Sequence, residues 1–129
     1  MARVPIVRIG DTLVATVQED LRDREALGLR DDLAGWLERT GAQGVLLDVS
    51  TVETVDSFLG RLINDIATST RLLGAHTVVV GIQPAVALTL IELGLELRGV
   101  RTALNPEKGM KLVKQLIAEE RQGDHRRGP

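Results

Sequence analysis

The segment Asp48-Val-Ser-Thr-Val-Glu-Thr-Val-Asp-Ser-Phe58 joins a strand pattern to a helix pattern. The apolar run before it, Gly44 to Val49, is typical of a strand that is buried on both faces. The residues after it carry apolar side chains at helical spacing as far as Leu73. The segment therefore predicts an α/β fold, in which a polar loop places Ser57 in the first turn of an amphipathic helix.

The rest of the chain continues the same alternation on both sides of this segment. Predicted strands cover Pro5–Ile9, Thr12–Val17, Gly44–Val49, Thr77–Val80 and Thr102–Leu104, and predicted helices end at Gly41, Gly74 and Gly94 or begin after Asn105. The order β-β-α-β-α-β-α-β-α predicts a mixed β-sheet with helices packed on it. One domain is expected over residues 3–120, followed by a polar and disordered tail over 121–129.

Composition limits the classes of function. The 129 residues are 43% hydrophobic but only 2% aromatic, so the core is expected to be aliphatic. Without cysteine there are no disulfides, thiolate metal sites or cysteine nucleophiles. A net charge of −2 and the scarcity of aromatic residues argue against nucleic-acid binding. Neither a membrane-spanning apolar run nor a signal-peptide pattern is present, so a soluble cytoplasmic protein is expected.

Ser57 is the candidate functional residue, and two interpretations of it remain open. Asp56 or Ser57 could simply cap the helix, which contributes about 1 kcal/mol. Alternatively, Ser57 is a phosphoacceptor, since the carboxyl ends of parallel strands are where ligands and regulatory chemistry gather. The residues expected to line this site are Asp48, Glu53, Thr54, Asp56 and Phe58.

A phosphate on Ser57 would add about −1.5 to −2 charge. The helix N-terminus would stabilise it by about 0.3–1 kcal/mol, whereas a carboxylate at about 6 Å would repel it by roughly 1–3 kcal/mol. Repulsion is therefore comparable to or larger than the dipole stabilisation. Phosphorylation is expected to change a docking surface without ordering a new structure, which suits release of a bound partner.

Other residues near the site have ordinary structural interpretations. Thr51 and Thr54 are expected to make loop hydrogen bonds. Thr89 is a possible second phosphoacceptor, within a helix that is apolar on nearly all sides. Burial of that helix by its own domain is favoured slightly over burial by a partner. Phe58 is expected to pack in the core, with an exposed anchor for a partner as the alternative.

Catalysis has little support in the sequence, and the chain is not expected to be an enzyme. His76 and His125 are the two imidazoles, and neither is placed to activate Ser57. The acidic residues around Ser57 lack a glycine-rich loop that would cradle a phosphate. No cofactor and no metal site are expected.

Two segments resemble a known family. Asp48 to Phe58 resembles the phosphorylation loop of STAS domains, the sulfate-transporter and anti-sigma-factor antagonist modules. Gly81-Ile-Gln-Pro-Ala-Val-Ala-Leu-Thr-Leu-Ile-Glu-Leu-Gly94, together with Asp56-Ser-Phe58, more specifically resembles the small stressosome scaffolds within that family. The likeness spans about residues 3–118.

The resemblance implies a STAS fold, phosphorylation of Ser57 by a switch serine/threonine kinase, and oligomeric assembly with larger paralogous STAS scaffold proteins. In such systems the unphosphorylated scaffold holds the kinase, stress-triggered phosphorylation releases it to a sigma-factor-type pathway, and a PP2C-like phosphatase resets the system. Phe58-Leu59 replaces the small residues that follow the serine in sporulation-type antagonists, which favours the scaffold class. The alternatives are an antagonist that binds an anti-sigma kinase directly and a STAS module that senses a nucleotide or lipid.

Overall fold

The computed structural model describes residues 4–18, 21, 23–95, 97 and 99–127. The elements are β1 (Ile6–Ile9), β2 (Thr12–Thr16), α1 (Asp23–Thr40), β3 (Gly44–Asp48), α2 (Ser57–Leu72), β4 (His76–Val80), α3 (Pro84–Glu92), β5 (Arg101–Ala103) and α4 (Pro106–Arg127). This order confirms the predicted succession of strands and helices.

The strands form one mixed sheet in the order β1-β2-β3-β4-β5. β1 and β2 are an antiparallel hairpin, whereas β2, β3, β4 and β5 run parallel. Asp48 pairs with Thr16 on one side and with Val80 on the other, so the strands end together. The loops that follow β3 and β4 therefore emerge at the same edge of the sheet, and Ser57 follows one of them.

The core lies on both faces of the sheet, because successive side chains of a strand point in opposite directions. One face packs with α1, α2 and α3 around Leu47 and Val79, and the other packs with α4 around Leu46 and Val78. The buried hydrophobic residues are all aliphatic, as the composition predicted, and both Trp36 and Phe58 are only partly buried.

Two glycines let α4 lie close to the sheet. A β carbon on Gly109 would come within 2.3 Å of Val80 Cγ1 and 2.6 Å of Leu46 Cδ1. A β carbon on Gly44 would come within 2.3 Å of Val113 Cγ1. The absence of a side chain at both positions therefore sets the spacing between α4 and the two central strands.

The expected domain boundary at residue 120 falls inside α4, because this helix continues to Arg127. The sequence-based boundary followed the apolar positions of this helix, the last of which is Ile117. Polar contacts then continue along the amino-terminal edge of the sheet. Glu120 Oε2 lies 2.7 Å from His76 Nε2, and Arg121 Nη2 donates to Gln43 Oε1 at 2.6 Å. Residues 128–129 of the expected disordered tail lie outside the described residues.

Two expectations about apolar burial were wrong. Leu73, the last apolar position of the predicted helical spacing, is 49% exposed because it follows the last helical residue, Leu72. In α3, only Val86 and Leu90 are buried, whereas its outer face is exposed, with Ile91 at 72%. This nine-residue helix packs through one side only, so its own domain leaves the outer side uncovered.

Candidate phosphoacceptor site

The loop that leads to Ser57 is anchored in the sheet at its start. Val49 N donates to Val80 O at 3.0 Å, and Val52 N donates to Val49 O at the same distance. The Val52 side chain is 2% exposed and belongs to the core beneath the helices. The loop therefore approaches α2 from a fixed point, although most of its residues are exposed.

A second contact ties this loop to the loop after β4. Gln83 Nε2 donates to Ser50 O at 2.8 Å. Asp48 Oδ1 accepts a hydrogen bond from Ser50 N at 2.9 Å, so this carboxylate stabilises the turn. Sequence reasoning missed Ser50 and Gln83. The available signal was Gly81-Ile-Gln83, which directly follows a buried strand parallel to β3.

Asp56, and not Ser57, is the N-cap of α2. Its backbone is extended, and Oδ1 accepts a hydrogen bond from Leu59 N at 2.9 Å. This is the usual geometry of an aspartate N-cap. Ser57 is the first helical residue and is exposed. Because Asp56 provides the cap, the Ser57 hydroxyl is left at the surface at the positive end of the helix.

Arg61 lies one turn further along α2 and reaches back to Ser57. Its Nη2 donates to Ser57 Oγ and its Nε donates to Ser57 O, each at 3.3 Å. Arg61 was not among the residues expected to line the site. The spacing of four residues was the signal, because such residues are neighbours on a helix surface. A cation therefore contacts the candidate hydroxyl, whereas the charged residues expected around it were all carboxylates.

The other predicted lining residues divide into exposed side chains and cavity walls. Glu53 and Thr54 are exposed, and Asp48 is half-buried at the end of β3. Phe58 is partly buried, so it packs on the core while one side stays accessible. A cavity of about 250 Å³ lies beside the start of α2, lined by Gln18, Leu21, Thr54, Val55, Asp56, Phe58 and Leu59.

The remaining candidates lie away from Ser57 or are engaged locally. Thr51 Oγ1 donates to Val17 O at 3.2 Å, which confirms its expected loop hydrogen bond. Thr89 Oγ1 donates to Ala85 O at 2.9 Å within α3. His76 begins β4 and lies at the opposite edge of the sheet from the loop that carries Ser57. His76 and Ser57 therefore lie at opposite ends of the parallel strands.

The described residues contain no cluster of three or more histidine, aspartate or glutamate side chains arranged to hold a metal ion. In this same part of the chain, every helix is too short or too polar to cross a bilayer.

Comparison with known proteins identifies the class of protein to which this fold belongs. The model of the STAS domain family matches residues 3–106. The chain belongs to the STAS domain family.

Particular members of the family are similar over most of the chain. A serine-to-glutamate variant of RsbS from Moorella thermoacetica is 38% identical and superposes with a TM-score of 0.80. The match covers 91% of this chain and 99% of that one. A chain in a structure of the stressosome, described as a signal integration and transduction hub, is 39% identical. It superposes with a TM-score of 0.77, and the match covers 88% of this chain and 98% of that one.

A larger curated relative is similar over part of its length. The RsbT co-antagonist protein RsbRA of Bacillus subtilis (strain 168) is 28% identical over 104 residues. The match covers 81% of this chain and 36% of RsbRA, so this chain spans about a third of that protein.

Proposed function

We propose that this chain is a non-enzymatic stressosome scaffold and phosphoswitch in the cytoplasm. In this proposal it holds a switch serine/threonine kinase and releases that kinase when Ser57 is phosphorylated. A PP2C-like phosphatase restores the unmodified state, and the released kinase acts on a stress-response pathway of the sigma-factor type. Similarity to RsbS, to a stressosome chain and to an RsbT co-antagonist supports the scaffold role. The kinase, the phosphatase and the switch at Ser57 follow from the resemblance of Asp48 to Phe58 to a STAS phosphorylation loop.

The observation that carries the proposal is the division of roles between two neighbouring residues. Asp56 provides the N-cap, so the exposed Ser57 hydroxyl does not serve as the cap at the start of α2 and accepts a hydrogen bond from Arg61 Nη2 instead. A kinase can therefore reach Ser57 without unfolding the helix. The added charge would appear on a surface beside Glu53, Thr54 and the accessible side of Phe58.

Assembly with paralogous scaffold proteins and with further copies of the chain is the second part of the proposal. Similarity to RsbS, to a stressosome chain and to the larger RsbRA supports it. The outer face of α3 carries large apolar side chains that are exposed, Leu88 to 61% and Ile91 to 72%. Contiguous exposed apolar side chains are typical of a surface that binds another protein. Mixed with a larger RsbRA-type paralogue, the chain is expected to elute as a particle far above the mass of a dimer.

The switch is tested by measuring kinase retention on three variants. Ser57→Ala is expected to hold the cognate kinase as the unmodified protein does, whereas Ser57→Asp is expected to hold it at least about tenfold more weakly. A loss of that size corresponds to about 1.4 kcal/mol, which lies within the range of charge repulsion across an interface. Thr68→Asp is the matched control, since Thr68 is exposed on the same helix and receives the same charge. Equal binding by Ser57→Asp and Ser57→Ala would contradict the electrostatic switch.

Phosphate mapping completes the test. After incubation with the kinase and ATP, mass spectrometry is expected to locate the phosphate on Ser57, and the same spectra test Thr89 as a second acceptor. Absence of phosphate from Ser57 would refute the phosphoswitch. A 1:1 complex with a kinase dimer and no larger particle would instead indicate a stand-alone anti-sigma-factor antagonist. Melting that depends on a nucleotide or lipid would indicate a ligand-sensing module.

A further inference from the structure

We propose that Arg61 is a positioning residue of the switch, which orients the Ser57 hydroxyl for phosphoryl transfer and then holds the phosphate against α2. This inference rests on the proposed function of Ser57. One guanidinium donates both to the hydroxyl oxygen and to the carbonyl oxygen of Ser57, each at 3.3 Å. Two donations to one residue place the cation over the first turn of the helix.

Before modification, this contact sets the direction of the hydroxyl proton. Arginine can only donate, so Ser57 Oγ accepts from Nη2 and its own O–H remains available to a base on the kinase. In the transfer, a bond forms between Ser57 Oγ and the γ-phosphorus of ATP. The bond from that phosphorus to the bridging oxygen breaks, ADP leaves, and the hydroxyl proton passes to the kinase base.

After modification, the same guanidinium lies within reach of the new phosphate oxygens. Arginine binds phosphate through paired, charge-assisted hydrogen bonds, which are stronger than bonds between neutral groups. Ser57 is also the first residue of α2, so the helix dipole acts in the same direction. Both effects keep the phosphate on the helix and limit its movement into solvent.

The positive charge of Arg61 also offsets the negative charges of the carboxylates near the phosphate. Asp56 and Glu53 are exposed carboxylates near the start of α2, and Asp56 Oδ1 already accepts from Leu59 N. Coulomb energy falls with distance, so a cation in direct contact offsets the repulsion from a carboxylate further away. The phosphate is therefore expected to form without melting the first turn, and the switch alters the surface charge of an intact helix.

The test uses the full chain with phosphoserine placed at position 57 during translation, so that no kinase is needed. The second ionisation of that phosphate is followed by ³¹P NMR in two phosphorylated chains, one that keeps Arg61 and one that carries Arg61→Gln. A neighbouring cation favours the dianion, so the midpoint is expected about half a pH unit higher in Arg61→Gln. A role confined to packing would not move this midpoint.

Two control variants make the result specific. Arg61→Lys keeps the charge and is expected to retain most of the lowering of the midpoint, although it loses the paired hydrogen bonds of the guanidinium. Lys114→Gln removes one positive charge from an exposed site on α4, on the opposite face of the sheet, and is expected to leave the midpoint unchanged. Circular dichroism checks that each variant is folded.

The outcomes separate this inference from the function on which it rests. If the midpoint of the phosphate is the same in the phosphorylated chain that keeps Arg61 and in Arg61→Gln, the role of Arg61 is overturned, even if the kinase modifies Ser57. An equal shift in Lys114→Gln would overturn it too, because the effect would then come from net charge alone. If the midpoint moves as expected but the kinase never modifies Ser57, the phosphoswitch fails and the local chemistry of Arg61 stands.

Discussion

Gly81 lies so close to Ser50 that a β carbon on Gly81 would be 2.7 Å from Ser50 Cβ and 3.0 Å from Ser50 Cα. The contact joins the loop after β4 to the loop that leads to Ser57. Gln83 adds a hydrogen bond to Ser50 O at 2.8 Å. The segment Gly81 to Gly94, the more specific part of the family resemblance, therefore directly contacts the loop that leads to Ser57.

Replacement of Gly81 by alanine is expected to destabilise the fold more than the same replacement at Gly10. Both glycines have positive φ, +79° and +61°, but a β carbon on Gly10 has no heavy atom within 4 Å. The left-handed backbone costs an alanine about 1–2 kcal/mol at either site, and the contact with Ser50 adds about 1–3 kcal/mol at Gly81. Urea unfolding of the two variants measures the difference. Equal losses would show that the loops adjust without strain.

Asp56→Ala is expected to lower the free energy of unfolding by about 1 kcal/mol, because it removes the hydrogen bond from Leu59 N to Oδ1. Asp56→Asn keeps an accepting oxygen and is expected to match the unmodified protein. Asp65→Ala, at an exposed position on the same helix, is the control and is expected to change stability by less than about 0.5 kcal/mol. If Asp56→Asn loses as much as Asp56→Ala, charge and not capping stabilises the helix start.

The buried hydroxyls of Thr70 and Thr77 are expected to respond unequally to valine. Thr70 Oγ1 donates to Ala67 O at 3.0 Å, so Thr77 is the donor in the 2.6 Å contact between the two hydroxyls. Thr70→Val leaves the Thr77 donor buried without that acceptor and is expected to cost about 1–3 kcal/mol. Thr77→Val is expected to cost about 1 kcal/mol or less, because Thr70 still donates to Ala67. Thermal unfolding of both single variants and of the double variant, expected to be more stable than Thr70→Val, checks this order.

Alanine in α4 is expected to act in opposite directions at two glycines. At Gly109 the new methyl would overlap Val80 and Leu46, and overpacking costs about 1–3 kcal/mol. At Gly123 no heavy atom lies within 4 Å, so alanine is expected to stabilise the helix by about 0.5–1 kcal/mol. Denaturant midpoints compare the two variants directly. Stabilisation by Gly109→Ala would show that α4 can move away from the sheet without loss.

The elements whose pattern is local were predictable. β3 and β4 are apolar runs, α1 and α2 have regular apolar spacing, and Asn105 precedes a helix that it caps by accepting from Lys108 N at 2.9 Å. α3 shows where local pattern fails. Its composition predicts burial by its own domain. Burial requires a surface to pack against, however, and this short helix near the edge strand β5 has the rest of the domain on one side only.

The sequence by itself determined the succession of strands and helices, the aliphatic core and the candidate hydroxyl, because apolar period and helix-start signals act between near neighbours in the chain. Only the tertiary structure decided which loop supports Ser57, that α4 continues past residue 120, and that α3 keeps an open apolar face. These features depend on contacts between residues far apart in the chain, such as Ser50 with Gln83 and Gln43 with Arg121. Such pairs leave no periodic trace in the sequence, since they form only when the parallel strands align and bring distant loops and helices together at the two ends of the sheet.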